Sequence, residues 1–201
     1  MTVYLVSNNL VLENIFYETA DGLLEKRINR PLSIKGEKAA REVCSLIDAD
    51  VIYSSAYASA LDAAKYYADF KKIEINVNSD LNDAVIGKMN GKNIQMLRFM
   101  QERNFDFKFN EGESLNDVSK RMKKVVLNIL KQNEGHNIVI FTHKRALLGF
   151  LMPYLSSGYN LEERLILSYN DEVIIDDVNH DVDIIRLDIE NNEFKNIEVL
   201  L

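Results

Sequence analysis

Apolar and polar positions along the chain follow two periods in turn. Three apolar runs of strand length end abruptly in small or polar residues: Val3–Asn9 (VYLVSNN), Val51–Ser55 (VIYSS) and Asn137–Lys144 (NIVIFTHK). Between and after them the spacing turns helical. Ser33 opens one helix, with Ala39, Ala40, Val43, Leu46 and Ile47 on its apolar face, and Asp48-Ala49-Asp50 closes it. A second helix is expected over Ala56–Phe70, with Ser55 as N-cap. Ile94–Arg103 reads as a short helix. Glu113–Asn133 reads as the longest one, striped by Leu115, Val118, Met122, Val125, Val126, Ile129 and Leu130, and Arg145–Leu155 as the last. Gly112-Glu113-Ser114 is the expected start of the long helix, where the helix dipole favours Glu113.

The remaining segments are shorter. Ile73–Val77 is β-branched and alternating, a strand pattern. Leu81–Gly91 reads as a loop and Phe105–Asn110 as a linker. Leu10–Pro31 has no clean period and carries the turn signal Asp21-Gly22. Leu161–Ser168 and Val173–Val178 have no firm assignment. Val182–Ile189 and Phe194–Leu200, separated by the polar stretch Glu190–Glu193, read as a hairpin at a sheet edge. Strands alternating with helices, then an antiparallel finish, predict an α/β fold with a mixed, mostly parallel sheet and a C-terminal antiparallel hairpin. No linker divides the chain, so one domain over residues 1–201 is expected.

Composition narrows the function classes. The chain has 201 residues, is 47% hydrophobic, and carries a net charge of −7. An acidic surface repels phosphate backbones, so nucleic acid is not an expected partner. No apolar run reaches membrane-spanning length, and Met1–Asn9 is too short for a signal peptide, so neither a membrane nor an export route is expected. The single cysteine, Cys44, lies in a helical pattern and reads as a small buried residue in a reducing compartment; the cytoplasm is the expected location. His136, His143 and His180 have no ligand spacing, so no metal and no cofactor are expected.

Candidate chemistry gathers at the strand ends, because ligands of open α/β sheets bind outside the carboxyl ends of the strands. Ser7, Asn8, Ser54, Ser55, Thr142 and His143 are the first candidates for one crevice. The first strand brings Ser7-Asn8-Asn9 there, with no acid, base or charge.

At this point the motifs resemble the histidine phosphatase superfamily, the fold of cofactor-dependent phosphoglycerate mutases. MTVYLV followed by a tripeptide, with Asn14 further on, stands where the family has Arg-His-Gly and a later Asn. RPLSIKGEKAA (Arg30–Ala40) is similar to its Pro-Leu-Thr-x-x-Gly segment. DVIYSSAYASALDAAKYYA (Asp50–Ala68) is similar to its Ser-Ser-x-Leu-x-Arg-Ala segment. LNDAVIGKMNG is similar to Leu-x-Glu-x-x-x-Gly-x-x-Glu-Gly, EGESLNDVSKRM (Glu111–Met122) to the Gly-Glu-Ser helix start, and NIVIFTHKRALL (Asn137–Leu148) to the strand ending in Ser-His-Gly. The resemblance implies a three-layer fold with helices on both faces of the sheet.

The same resemblance implies where the chemistry has changed. The family's nucleophilic histidine corresponds to Asn8, whose amide lone pair is delocalised and is no nucleophile. The phosphate-binding arginines correspond to Ser7 and Ser59, and the glycine after the histidine to Asn9. Arginine holds phosphate through bidentate, charge-assisted bonds. At roughly 1.5–3 kcal/mol per bond, losing two removes about 3–6 kcal/mol, roughly a hundredfold to ten-thousandfold in affinity. His143 is unaltered, and Asp83 corresponds to the acid that protonates the leaving group, one methylene shorter than the family's usual Glu.

Plainer readings run beside these. His143 also reads as a hydrogen-bonded strand end, Asp83 as a turn residue, and Asn8 and Asn9 as caps of the strand-to-loop turn. Lys144, Arg145, Arg30 and Arg27 are candidate anion contacts, against the commoner case of solvated surface cations. His136 and His180 read as turn residues. The expectation is a degenerate, non-catalytic member with a binding or regulatory role, taking a small anionic or polar ligand. The alternatives are an active phosphomonoesterase or phosphomutase using His143 and Asp83 with relocated cations, or a structural protein that self-associates, a homodimer being the commonest form.

Overall fold

The computed structural model describes residues 1–12, 29–89, 93–176, 181–190 and 193–201. Among them a six-stranded mixed sheet forms from β1 (Thr2–Asn8), β2 (Val51–Ser54), β3 (Ile75–Val77), β4 (Ile138–Thr142), β8 (Val182–Glu190) and β9 (Glu193–Val199). Its order is β3-β2-β4-β1-β8-β9. The first four strands run parallel, while β8 pairs antiparallel with β1 and β9 with β8. The expected mixed sheet and edge hairpin are both present, though the strand expected to open at Ile73 begins at Ile75.

Period-two alternation sorts the central strands onto two cores. Val3, Leu5, Ile138, Ile140, Ile185 and Leu187 face one way, onto helices α4 (Leu115–Gln132) and α5 (Lys144–Leu151). Tyr4, Val6, Val139, Phe141 and Ile184 face the other way, onto α1 (Ile34–Val43) and α2 (Ala58–Lys71). β4 is buried on both faces along its length, as its unbroken apolar run requires.

The helix starts follow from local chemistry. The Ser33 hydroxyl caps α1 by accepting the Gly36 N–H at 3.1 Å. Ser114 and Asp117 form a reciprocal capping box on α4. The Lys108 ammonium and the Ser114 N–H on the Asp117 carboxylate hold its pKa down to about 2. Glu113 lies just before the cap rather than in the first turn, and Arg121 pairs with it through two nitrogens. α3 spans Ile94–Arg103, as expected, with Asn93 as its side-chain cap. The expected α1 reaches Ile47, but the helix ends at Val43; Leu46 is 43% exposed, while Ile47 stays in the core. The last helix closes at Leu151 and gives way to a turn.

A second sheet was not foreseen. β5 (Ser156–Tyr159), β6 (Leu165–Tyr169) and β7 (Glu172–Asp176) form an antiparallel three-stranded sheet. Leu165, Leu167, Ile174 and Ile175 join the core beneath α4 and α5. No helix among the described residues is long and apolar enough to cross a membrane.

Candidate functional site

The alternation that builds the cores also divides the chemistry at the carboxyl ends of β1 and β4. Ser7 continues the Val3–Leu5 face and Asn8 the Tyr4–Val6 face. On β4, Thr142 and His143 divide in the same way, and Ser7 pairs with Thr142 in register. Asn8 and His143 therefore share one face, Ser7 and Thr142 the other.

Asn8 is buried and fully engaged. Its Nδ2 donates to Gly36 O at 3.0 Å and its Oδ1 accepts the Leu10 N–H at 3.1 Å. The amide thus closes an Asx turn and ties β1 to the first turn of α1. Gly36 is the only residue type that fits here, since an added Cβ would lie 2.2 Å from Leu10 O.

On the opposite face, Ser7 Oγ donates to Asp183 Oδ2 at 2.5 Å, which follows from the register that sets Ser7 beside Asp183. Lys144 Nζ donates to Asp183 Oδ1 at 2.8 Å and lies 3.6 Å from Asp176. Asn9 Nδ2 reaches Asp183 Oδ2 at 3.5 Å. Lys144 and Arg145 are 6% and 5% exposed, so the reading of solvated surface cations is wrong for both. The reason is that α5 is buried along its whole length, which forces its charges to find internal partners. Arg145 Nη2 donates to Gln101 Oε1 at 2.5 Å, and Gln101 in turn donates to the carbonyls of Phe107 and Glu113.

His143 is half-buried. Its Nε2 lies 2.7 Å from Ser55 Oγ, and its ring centroid lies 5.1 Å from that of Tyr57. Ser55 also accepts the Tyr57 N–H at 3.2 Å. It does not cap α2, which begins three residues later with Tyr57 as a cap without a side-chain bond. The hydroxyl is taken up instead by a short Ser turn and the imidazole. Ser59 is buried in the first turn of α2, and a serine there cannot extend a charge into the crevice.

Asp83 lies in a firmly held wall. It is 9% exposed and accepts its neighbour Ala84 N–H at 2.9 Å. Thr142 Oγ1 donates to Leu81 O at 2.6 Å, and Asn82 Oδ1 accepts the Ala56 N–H at 2.8 Å. Arg121 donates to the carbonyls of Asp80 and Asn82 and pairs through two nitrogens with Glu113, whose carboxylate also accepts the Val85 N–H. Gly87 stands at φ 78°, and a Cβ there would lie 2.5 Å from Asn110 O. The segment carrying Asp83 is therefore clamped to β4, to the turn before α2 and to α4 together.

Of the other expected site residues, Arg30 is among those described. Arg30 is half-buried just before Pro31, and His136 is exposed in the turn after α4. Asn14, Arg27 and His180 lie outside the described residues, as does the Asp21-Gly22 turn. Asp183 and Asp176 are the residues that sequence reading missed. They fall in an edge-strand pattern and an unassigned stretch, far along the chain from Lys144.

Sheet order, two-sided helical cover and the meeting of the ends of β1, β2 and β4 match a phosphoglycerate mutase-like fold. The sequence model of the histidine phosphatase superfamily (branch 1) matches residues 17–185, and the chain belongs to that superfamily. The match begins after β1, so the assignment of Ser7, Asn8 and Asn9 to the family's first motif rests on the position of β1 beside β4. Among solved structures, the chain is similar to YhfR of Bacillus stearothermophilus, at 19% identity and a TM-score of 0.67, covering 99% of this chain and 96% of that one. It is similar to a variant of the phosphoserine phosphatase of Entamoeba histolytica in complex with phosphoserine, at 18% identity and 0.62, covering 98% and 95%. It is also similar to a mycobacterial glucosyl-3-phosphoglycerate phosphatase, at 16% identity and 0.59, covering 85% and 98%. No curated protein sequence matches the chain.

Proposed function

We propose that this chain is a non-catalytic member of the superfamily, a cytoplasmic protein with a binding or regulatory role. The observation that carries the reading is the commitment of Asn8 and Ser7. Both side chains stand at the end of β1, Asn8 on the face that His143 shares and Ser7 on the opposite one, and both make internal hydrogen bonds. A phosphoryl-transfer site needs a nucleophile and preorganised positive charge where the transferring group sits. Asn8 supplies no nucleophile, and the ammonium nearest the strand end is neutralised by two carboxylates. The phosphatase names of the similar structures describe those proteins; at identities under one in five they support the fold for this chain.

A ligand of this crevice would meet the imidazole of His143, the Tyr57 ring and the wall carrying Asp83, a polar surface of low positive charge. A small polar molecule suits it better than a phosphate ester. The test is to incubate the purified chain with phosphoserine or an aryl phosphate and look for phosphohistidine, the acid-labile and base-stable product. No labelling is expected. Label that the His143→Ala variant loses would overturn the reading and establish an active hydrolase built on His143.

A further inference from the structure

We infer that Lys144, Ser7 and Asn9 form an oxyanion cradle that the chain's own Asp183 carboxylate fills. The inference rests on the non-catalytic reading of the crevice and concerns the opposite face of the same strand ends. Three donors converge on one carboxylate: Ser7 Oγ at 2.5 Å, Lys144 Nζ at 2.8 Å and Asn9 Nδ2 at 3.5 Å. One ammonium and two neutral donors gathered at a strand end form the kind of donor set that holds a phosphate or sulfate. Here the acceptor is covalently tethered. β8 pairs antiparallel with β1, and the register sets Asp183 directly opposite Ser7. A tethered group competes at a high effective concentration, so free phosphate at ordinary concentrations does not displace it.

Burial explains why the carboxylate stays. Lys144 is 6% exposed and Asp183 is 7% exposed, and a buried ammonium without an anion is strongly unfavourable. Asp176, at 3.6 Å, is a weaker second partner. Asp183 also lines a cavity of about 850 Å³ between α1, β7 and β8, with Lys35, Ala39, Val173 and Asp181 among its other walls. Shortening Asp183 would remove the acceptor that these three donors share, beside a cavity that Asp183 already lines.

The experiment compares the wild type with Asp183→Ala, reading the unfolding temperature and heats of titration against inorganic phosphate, with chloride at matched ionic strength as control. The wild type is expected to be indifferent. Asp183→Ala is expected to show a saturable rise in Tm and a binding isotherm, both lost in Asp183→Ala/Lys144→Ala and strengthened by adding Asp176→Asn. Asp183→Asn, which keeps the space filled, should not bind. If Asp183→Ala does not fold, Asp183→Ser carries the test, because its hydroxyl keeps a partner for Ser7. A folded Asp183→Ala or Asp183→Ser that ignores phosphate overturns the inference. So does binding that survives loss of Lys144, or phosphate binding to the wild type at Lys144. None of these results concerns phosphohistidine, so the cradle can fail while the non-catalytic reading stands, and the reverse.

Discussion

A single amide at the end of β1 does the work of a joint. Asn8 Nδ2 and Oδ1 hold Gly36 O and the Leu10 N–H in place, and the residue is 8% exposed. Asn8→Ala would leave the buried side of that turn unsatisfied, at a cost of about 1–3 kcal/mol. Urea unfolding should show the loss as a lower midpoint with an unchanged slope, and an unchanged midpoint would mean the amide is not structural. The sequence allowed this role for Asn8, because an asparagine directly after an apolar strand is a common Asx-turn former. It did not allow the partnership of Lys144. Two adjacent cations after a strand look alike whether buried or solvated, and the carboxylate that decides the matter lies 39 residues further on.

Among the elements, α1 depends on the closest approach in the crevice. A methyl group at Gly36 would meet Leu10 O at 2.2 Å, a backbone atom that cannot turn aside as a flexible side chain could. Gly36→Ala is expected to destabilise the fold by about 1–3 kcal/mol or more through overpacking, despite alanine's better helix propensity. A thermal or urea melt checks it, and a stabilised variant would show that the loop after β1 can move away. The starts of the capped helices were legible: Ser33, the Gly112-Glu113-Ser114 start and the Ile94–Arg103 pattern placed them within two residues. α2 was misplaced at its start because Ser55 resembles an N-cap while its hydroxyl serves Tyr57 N–H and His143. The second sheet was hidden for a different reason. β5 is four residues long, Ser-Ser-Gly-Tyr, without apolar alternation. Its neighbours did carry a signal: Asn170 and Asp171 both adopt positive φ, the two-residue turn that such residues favour between β6 and β7.

For the whole molecule, the order of motif segments along the chain carried more than any one of them. Strand ends separated by helices of the right length predict which loops meet, and the six-stranded sheet brings the ends of β1, β2 and β4 together as expected. What that meeting would contain was only half legible. The residue types at positions 7, 8 and 59 could be read directly. The charge balance could not, because it depends on β7 and β8 bringing Asp176 and Asp183 to Lys144. On the reading proposed above, a phosphatase-like scaffold carries no nucleophile at Asn8 and has its buried Lys144 paired with its own carboxylates. The central claim of that account is tested most directly by turnover of a generic aryl phosphate from about pH 5 to about pH 8, across the range in which an unperturbed histidine changes charge, with His143→Ala purified in parallel. The account predicts no turnover by the wild type beyond that of the variant. Turnover that disappears with His143 would contradict it and show a working site rebuilt around that histidine.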